Sequence, residues 1–369
     1  MISLFSTHIP EGTAQAVYDL IKSGWINRGK KAEEFENLFK VKFGCGYTLS
    51  VNSCTSALRL AYDIANYYGL GKNEVITTPY TMIATNTAIL ECGLKPIFVD
   101  VEYETGNIDI DSILDIIDGK TLAIVGVDYA GYPCDWKELK AVSNDYDVML
   151  IDDAAHALGA TLSGYSTGLY ADMACYSFQA VKHINTGDGG MFVCGDPEIY
   201  ELARKKIWFG IDKPKRVQTP LGTYPKDVDV LGFKYGMNDL NAVMGIEGLK
   251  DFDKVFKRRK EIAKYYLDTL QSLPEIELMG YDDKNKVHAN WLFPIHVESR
   301  LKFAEYMRVK GIEVAVHNWR NDSYSIFGKT RKLLQTARLN NDLIHIPLHA
   351  ELTDDEVVYI AKTIRMWKH

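Results

Sequence analysis

Long apolar runs are missing from this sequence of 369 residues. No window approaches the roughly 18 consecutive apolar residues that a bilayer-spanning helix needs. The opening MISLFSTHIPEG has no basic stretch leading into an apolar core, so no secretion signal is read there and a cytoplasmic location is expected. A surplus of positive charge is missing too. With a net charge of −7 the chain is not expected to bind nucleic acid or a membrane surface, and any phosphate recognition must be local. Paired cysteines are also absent: Cys45, Cys54, Cys92, Cys134, Cys175 and Cys194 stand singly, with no CxxC, mostly in apolar surroundings. That pattern indicates neither a zinc site nor a disulfide framework, so buried thiols and no metal are expected. Repeats and low-complexity tracts are not visible. What is present, 47% hydrophobic and 25% charged residues, suits an ordinary globular chain with room for two domains.

The order of the chain gives the fold class. Apolar helical spacing in PEGTAQAVYDLIKSG and KAEEFENLFKVKFG predicts two helices, joined by a short exposed link that holds Trp25, Asn27 and Arg28. A β-rich run, Tyr47 to Val51, then turns through small polar residues into a helix starting near Ala57. Short strands and helices alternate from there: Glu74 to Pro79, Pro96 to Val101, a helix around Ile108 to Ile117, Leu122 to Tyr129, a helix from Trp136 to Asp145, and VMLIDDA. Such alternation predicts βαβ units and a mostly parallel sheet covered on both faces, an α/β fold. After GMFVCG and a helix around Glu198 to Lys206 the pattern loosens into a segment of roughly thirty residues rich in Gly, Pro and Lys, long enough to be functional or an assembly element. A long helical region follows, taken as the domain boundary. Residues 1–250 are expected to form a large α/β domain and residues 251–369 a smaller α+β domain.

The chemistry concentrates between residues 151 and 190. An apolar run, Val148 to Ile151, delivers Asp152 and Asp153 where a buried parallel strand would end, the place where open α/β sheets hold their ligands. A second strand, MACYSF, is followed by Lys182 in a small, glycine-rich neighbourhood ending GDGG. A lysine kept from bulk water has a lowered pKa, and its neutral amine can condense with an aldehyde. Lysine as Schiff base and an acid as partner to a pyridinium nitrogen are the two protein groups that pyridoxal phosphate requires. The same residues also suit a helix-capping Asp153 and a loop Lys182. Asn52 to Ser56, between strand and helix, offers an anion seat at a helix N-terminus, though Ser53 or Thr55 could equally be a simple cap.

Eight segments in one order, SGWINRGKKAEEFE, VNSCTSALRLA, EVITTPYTMIATNTAI, KPIFVDVEYETGNID, IDDAAHALGA, YSFQAVKHINTGDGG, LGFKYGMNDLNAVMG and IPLHAELTDDEV, resemble the DegT/DnrJ/EryC1/StrS family of pyridoxal-phosphate-dependent nucleotide-sugar aminotransferases nearly end to end. The resemblance implies a fold type I transferase that works as a homodimer with shared active sites. It makes Lys182 the Schiff-base residue, Asp153 the partner of the pyridine nitrogen and His156 a neighbour of the phenolic oxygen. Ser177, Cys54 and Thr55 correspond to the phosphate seat. Met82 stands where the family usually has an aromatic ring over the pyridine face, and Cys54 where a glycine is common. Lys234, with Asn238 as the weaker candidate, occupies the segment that reaches the neighbouring subunit's phosphate site. The family also often carries a His-containing loop facing the substrate, which here holds His317 and Arg320, while Trp25, Asn27 and Arg28 approach from the amino-terminal end.

The implied reaction moves an amino group from L-glutamate to a nucleotide-linked keto sugar. GWIN and KHINTGDGG look more like members acting at C4 of a 4-keto-6-deoxy sugar, of the perosamine-synthase type, than members acting at C3. Two other classes were open to such a sequence. Relatives with His in place of the lysine act as dehydrases, but the SFxxxK register puts Lys182, not His183, at that position. A regulator on the same fold is disfavoured by Asp153, Ser177 and Lys182 standing together.

Overall fold

The computed structural model describes residues 1–213, 217–223, 227–281 and 283–368. Two amino-terminal helices, α1 (Thr13–Ser23) and α2 (Lys30–Phe43), end at Gly24 and Gly44, each in the left-handed conformation that stops a helix at little steric cost for glycine. Strands and helices then alternate: β1 (Tyr47–Val51), α3 (Cys54–Tyr68), β2 (Glu74–Thr77), α4 (Ile83–Glu91), β3 (Lys95–Phe98), α5 (Ile110–Leu114), β4 (Thr121–Val127), α6 (Trp136–Asp145), β5 (Met149–Asp153). A small hairpin of β6 (Thr161–Leu162) and β7 (Tyr165–Ser166) leads to β8 (Met173–Ser177), β9 (Gly190–Cys194) and α7 (Pro197–Lys206).

Seven of these strands form one sheet in the order β1-β9-β8-β5-β4-β2-β3. Neighbours from β8 through β3 run parallel, whereas β9 is antiparallel to both β1 and β8. The sheet is buried on both sides, which is why its strands read as continuous apolar runs rather than alternating ones. The strand period of two still assigns each residue to a layer. Met173, Cys175, Phe192 and Cys194 pack with α3 and α7, while Ala174, Tyr176, Met191 and Val193 pack with Phe35 and Phe39 of α2 and with the long helix α8 (Asp239–Leu270).

Helix α8 begins at an Asn238 cap and carries Ala242, Ile246 and Leu249 into the sheet's core. Its second half carries Ile262, Ala263, Tyr266 and Leu270 into a separate core. That core is built on a three-stranded sheet of β10 (Glu277–Leu278), β12 (Phe293–His296) and β13 (Leu343–Ile346), packed by α9 (Arg300–Val309) and α11 (Asp354–Arg365). The short β11 (Lys286–Val287) pairs with β6 instead, and α10 (Leu334–Asp342) precedes β13. The expected division at 250/251 falls inside α8. The first residues also reach the smaller core, since the Ile2 N–H donates to the Gly311 carbonyl at 2.7 Å.

Three elements differ from their sequence-based expectation. Helix α3 starts at Cys54 rather than near Ala57, because Ser53 already accepts the Ser56 N–H and caps it there. Helix α5 is half its expected length, capped by Asp109 at its start. The run EVAV from Glu313, which reads as the start of a strand leading into the His317 loop, enters no strand: Ala315 makes only an isolated bridge to His345. Between α7 and α8 the described residues form no α-helix or strand, and isolated bridges tie Lys234 to Trp208 and Gly236 to Val51. Among the described residues, no helix is long and apolar enough to cross a membrane.

Candidate active site

Adjacent parallel strands β5 and β8 end side by side, with Asp153 in register with Cys175. Asp153 is buried there, and its carboxylate accepts hydrogen bonds from the Thr85 hydroxyl at 2.6 Å and the Ala155 N–H at 3.2 Å. Burial raises its pKa above the usual carboxylate range, opposed by those two donors and by Lys182. Thr85 sits in the first turn of α4 and is itself 2.9 Å from the Thr81 hydroxyl. Since Thr85 gives its proton to Asp153, Thr81 donates to Thr85, and a short relay holds the carboxylate in place.

Lys182 follows β8 in a turn closed by its N–H on the Gln179 carbonyl at 2.9 Å. Its side chain is half-buried, and Nζ lies 3.3 Å from the ring centre of Trp291. Burial lowers its pKa to about 7, with the Asp153 charge pulling upward and Arg259 downward; the Cys54 thiol is itself pushed up by burial and brings no charge near neutrality. Near neutral pH a large share of Lys182 is therefore the nucleophilic amine. His156 stacks on Trp291 with ring centres 3.8 Å apart, and burial, with the Lys182 charge, keeps its imidazole neutral. Its Nδ1 is buried without a partner.

The phosphate-seat residues converge as well. Ser177 is paired across the ladder with Gly190, and a Cβ at Gly190 would lie 2.7 Å from the Cys54 nitrogen and 2.8 Å from the Ser53 carbonyl oxygen. Glycine is required there for β9 to pass beneath the start of α3. The first helical bond runs from Ala57 N–H to the Ser53 carbonyl, and Ser53 Oγ takes the Ser56 N–H. This leaves the Cys54 and Thr55 N–H groups at the open helix end beside Ser177. Cys54 turns its thiol inward, 3.4 Å from the Cys175 carbonyl and 4.0 Å from Asp153 Oδ1, so the side chain that replaces glycine does not fill the seat. Burial, then the Asp153 charge, keeps it a neutral thiol. Met82 is 53% exposed at the start of α4.

The remaining predicted residues divide. His317 joins the Lys182 neighbourhood: its ring meets Trp291 edge-on at 5.0 Å and Phe5 at 5.0 Å, and burial with the Lys182 charge lowers its pKa to about 4. Arg320 is gripped by the buried Asp322 through two hydrogen bonds of 2.7 and 2.5 Å. Arg28 is likewise committed, to Glu36 at 2.6 Å and to Ser50 Oγ and carbonyl at 2.9 and 3.0 Å, which fastens the α1–α2 link to β1. Trp25 and Asn27 are exposed on that link, and Asn27 accepts the Arg28 N–H. Lys234 is exposed, with its carbonyl 3.4 Å from the Asn52 amide nitrogen, and Asn238 is spent on capping α8. Asp152 points to the opposite layer from Asp153. Both its oxygens are buried without partners, and burial followed by the nearby Asp128 raises its pKa well above the usual carboxylate range.

Four residues were not singled out from the sequence. Thr85 and Trp291 touch the two central groups. The buried Arg259 donates to the carbonyls of Asn290, Trp291 and Leu348 and so fixes the backbone that carries Trp291. Asn321 plugs the His317 loop into the turn before α4: its N–H meets the Pro79 carbonyl at 2.7 Å and its amide meets Thr81 and Asn86, each at 2.9 Å. Shape alone would not have led to this site. A cleft of about 780 Å³ lies at the other, amino-terminal end of the strands, lined in part by Leu122, Met149 and Asp172. Its lysines are already engaged, Lys72 by the Asp147 carbonyl and Lys140 by Asp172. Among the described residues, no cluster of three or more His, Cys, Asp or Glu side chains is arranged to hold a metal.

The model of the DegT/DnrJ/EryC1/StrS aminotransferase family matches residues 8–365. The UDP-4-amino-4,6-dideoxy-N-acetyl-beta-L-altrosamine transaminase of Campylobacter jejuni is 30% identical, with 99% of this chain and 96% of that protein covered. The crystal structure of the sugar aminotransferase CalS13 of Micromonospora echinospora superposes with a TM-score of 0.94 at 31% identity, covering 100% of both chains. The PLP form of a sugar aminotransferase described as putative, Spr1654 of Streptococcus pneumoniae, superposes with a TM-score of 0.88 at 26% identity, covering 98% of this chain and 96% of that one.

Proposed function

Given that this chain belongs to the DegT/DnrJ/EryC1/StrS aminotransferase family, we propose that it carries pyridoxal 5′-phosphate on Lys182 and moves an amino group from L-glutamate to the keto carbon of a nucleotide-linked sugar. The observation that carries this is the pairing of a half-buried lysine, poised near neutrality, with a buried carboxylate at neighbouring strand ends. The donor set fits the cofactor. A helix end with free N–H groups beside Ser177 suits a phosphate, Asp153 suits a ring nitrogen, and the unpartnered Nδ1 of His156 suits a phenolic oxygen. Met82 would cover the pyridine face with a thioether, a softer contact than an aromatic ring.

Bound there, pyridoxal phosphate supplies an electron sink for the carbon that loses its proton. The chain's own residues do the rest. Asp153, held by Thr85 and Ala155, keeps its charge against the ring nitrogen so that the nitrogen stays protonated. Lys182, when released, would take the proton from the amino donor's α-carbon and deliver it to the cofactor's aldehyde-derived carbon, and would run the same transfer in reverse with the keto sugar, work suited to a group whose pKa lies near 7. His317, edge-on to Trp291 in the Lys182 neighbourhood, would meet the sugar. Arg320 is held by Asp322 and would contribute only through its remaining N–H groups.

The amine is proposed to go to C4 of a 4-keto-6-deoxy sugar. The GWIN and KHINTGDGG segments support this, as does the 4-amino sugar in the name of the Campylobacter relative. The same proposal includes a cytoplasmic homodimer in which Lys234 reaches the partner's phosphate seat, and a division into domains at 250/251, supported by the two separate cores along α8. The test is a panel of UDP-, dTDP- and GDP-linked 4-keto and 3-keto sugars assayed with glutamate, with the aminated carbon located by NMR. Turnover of 4-keto sugars is expected; turnover of 3-keto sugars alone would overturn the C4 assignment.

A further inference from the structure

We propose that Trp291 is the seat of the Lys182 amine: its indole face holds Nζ whenever the lysine carries a proton, and so positions it between successive proton transfers. Nζ stands 3.3 Å from the ring centre, within the range in which an ammonium is attracted by the ring's quadrupole. The ring itself is not free to turn. His156 stacks on it at 3.8 Å, Phe5 at 5.9 Å, and His317 meets it edge-on at 5.0 Å. Arg259 pins its backbone through the Trp291 carbonyl at 3.1 Å. Trp291 is 1% exposed, so the interaction is screened little by water.

The other groups around Nζ make such a seat necessary. Cys54 from α3 is a neutral thiol, His156 beyond β5 and the adjoining His183 are held neutral by burial, and so is His317 from the small-domain loop. Arg259 from α8 repels a proton on Nζ. Asp153 from β5 is the one carboxylate among these groups that favours the ammonium, and the proposed cofactor nitrogen claims it. The indole is then the remaining stabiliser of the protonated lysine. It acts without a charge of its own, so it does not lock Nζ into an ion pair from which the proton could not leave.

The catalytic consequence rests on the proposed role of Lys182, but the seat itself can be measured in cofactor-free protein. The pH dependence of Lys182 acetylation by trace acetic anhydride, read by peptide mass spectrometry, gives its apparent pKa. Trp291→Leu is expected to lower that pKa by about 0.5 to 1.5 units, and Trp291→Phe to lower it by less. Should Trp291→Leu fail to fold, protein grown with fluorinated tryptophans keeps the ring's shape while weakening its quadrupole, and the Lys182 pKa is expected to fall stepwise with fluorination. In the loaded enzyme Trp291→Leu is expected to reduce kcat for glutamate more than it raises KM, with Trp291→Phe restoring much of the loss. A Lys182 pKa that ignores both the Leu variant and the fluorine series overturns the seat. Aminotransferase inactivity with every sugar tested, alongside a pKa that follows the ring, would instead refute the proposed function and leave the seat standing.

Discussion

Replacing Thr85 by valine keeps the shape of the side chain and removes the hydroxyl that donates to Asp153 at 2.6 Å. A hydrogen bond to a charged group contributes about 1.5 to 3 kcal/mol. At about 1.4 kcal/mol per pKa unit, its loss should raise the Asp153 pKa by a further ~1 to 2 units. The sign follows from which form the donor favours: Thr85 stabilises the carboxylate, so without it the proton binds more tightly. Activity requires Asp153 ionised, so the acid limb of the rate profile should move to higher pH by the same amount; at a pH on that limb the glutamate half-reaction should slow ~10- to 100-fold, with little change on the plateau above it. The assay is stopped-flow absorbance of the loaded enzyme mixed with glutamate across pH 5 to 9. Thr85→Ser keeps the donor and should behave like the unaltered protein. An acid limb that stays put in Thr85→Val would refute the reasoning, because the carboxylate's charge would then not depend on the relay.

The two strand-end acids should separate cleanly. Asp153→Asn is expected to lower turnover by about 10³ or more while leaving the fold intact, whereas Asp152→Asn, at a carboxyl that burial biases toward its neutral form on the opposite layer, should change turnover little; the reverse pattern would exchange their roles. Asp152 also has a stability signature. Its folded pKa is raised above the unfolded value near 4, so the folded protein holds a proton that the unfolded chain loses, and this group's contribution falls as pH rises from about 4 toward the raised value. Asp152→Asn lacks that slope, so its urea midpoint should gain on the unaltered protein between pH 5 and pH 7. In the His317 loop, His317→Ala is expected to raise KM for the nucleotide sugar several-fold without altering the glutamate half-reaction, and Arg320→Ala less so, since Asp322 already occupies its fork; unchanged sugar kinetics in both variants would remove the loop from the substrate site.

Much of this was legible in the chain because βαβ alternation is a local pattern. The strand ends carrying Asp153 and Ser177 and the length of α8 follow from residues within a few positions of each other. Lys182 stood out by contrast with its glycine-rich surroundings. Thr85 did not, being one of several threonines in TTPYTMIATNT, and only the folded register aims it at Asp153, 68 residues away. Trp291 was masked for the same reason. In ANWLFPIHV it reads as one more apolar strand residue, yet it lies two residues ahead of β12 and meets Lys182 from more than a hundred positions along the chain. Arg28 and Arg320 erred in the other direction. A sequence shows a guanidinium but not its partner, and Glu36 and Asp322 had already taken these two.

Lys182 as the point of covalent attachment is the claim on which the rest depends. The protein is loaded with pyridoxal phosphate, reduced with borohydride, digested, and the labelled peptide sequenced. The label is expected on Lys182 alone, with no label and no visible absorbance in Lys182→Ala. A label on any other lysine, or a reduced protein that carries none, would contradict the account.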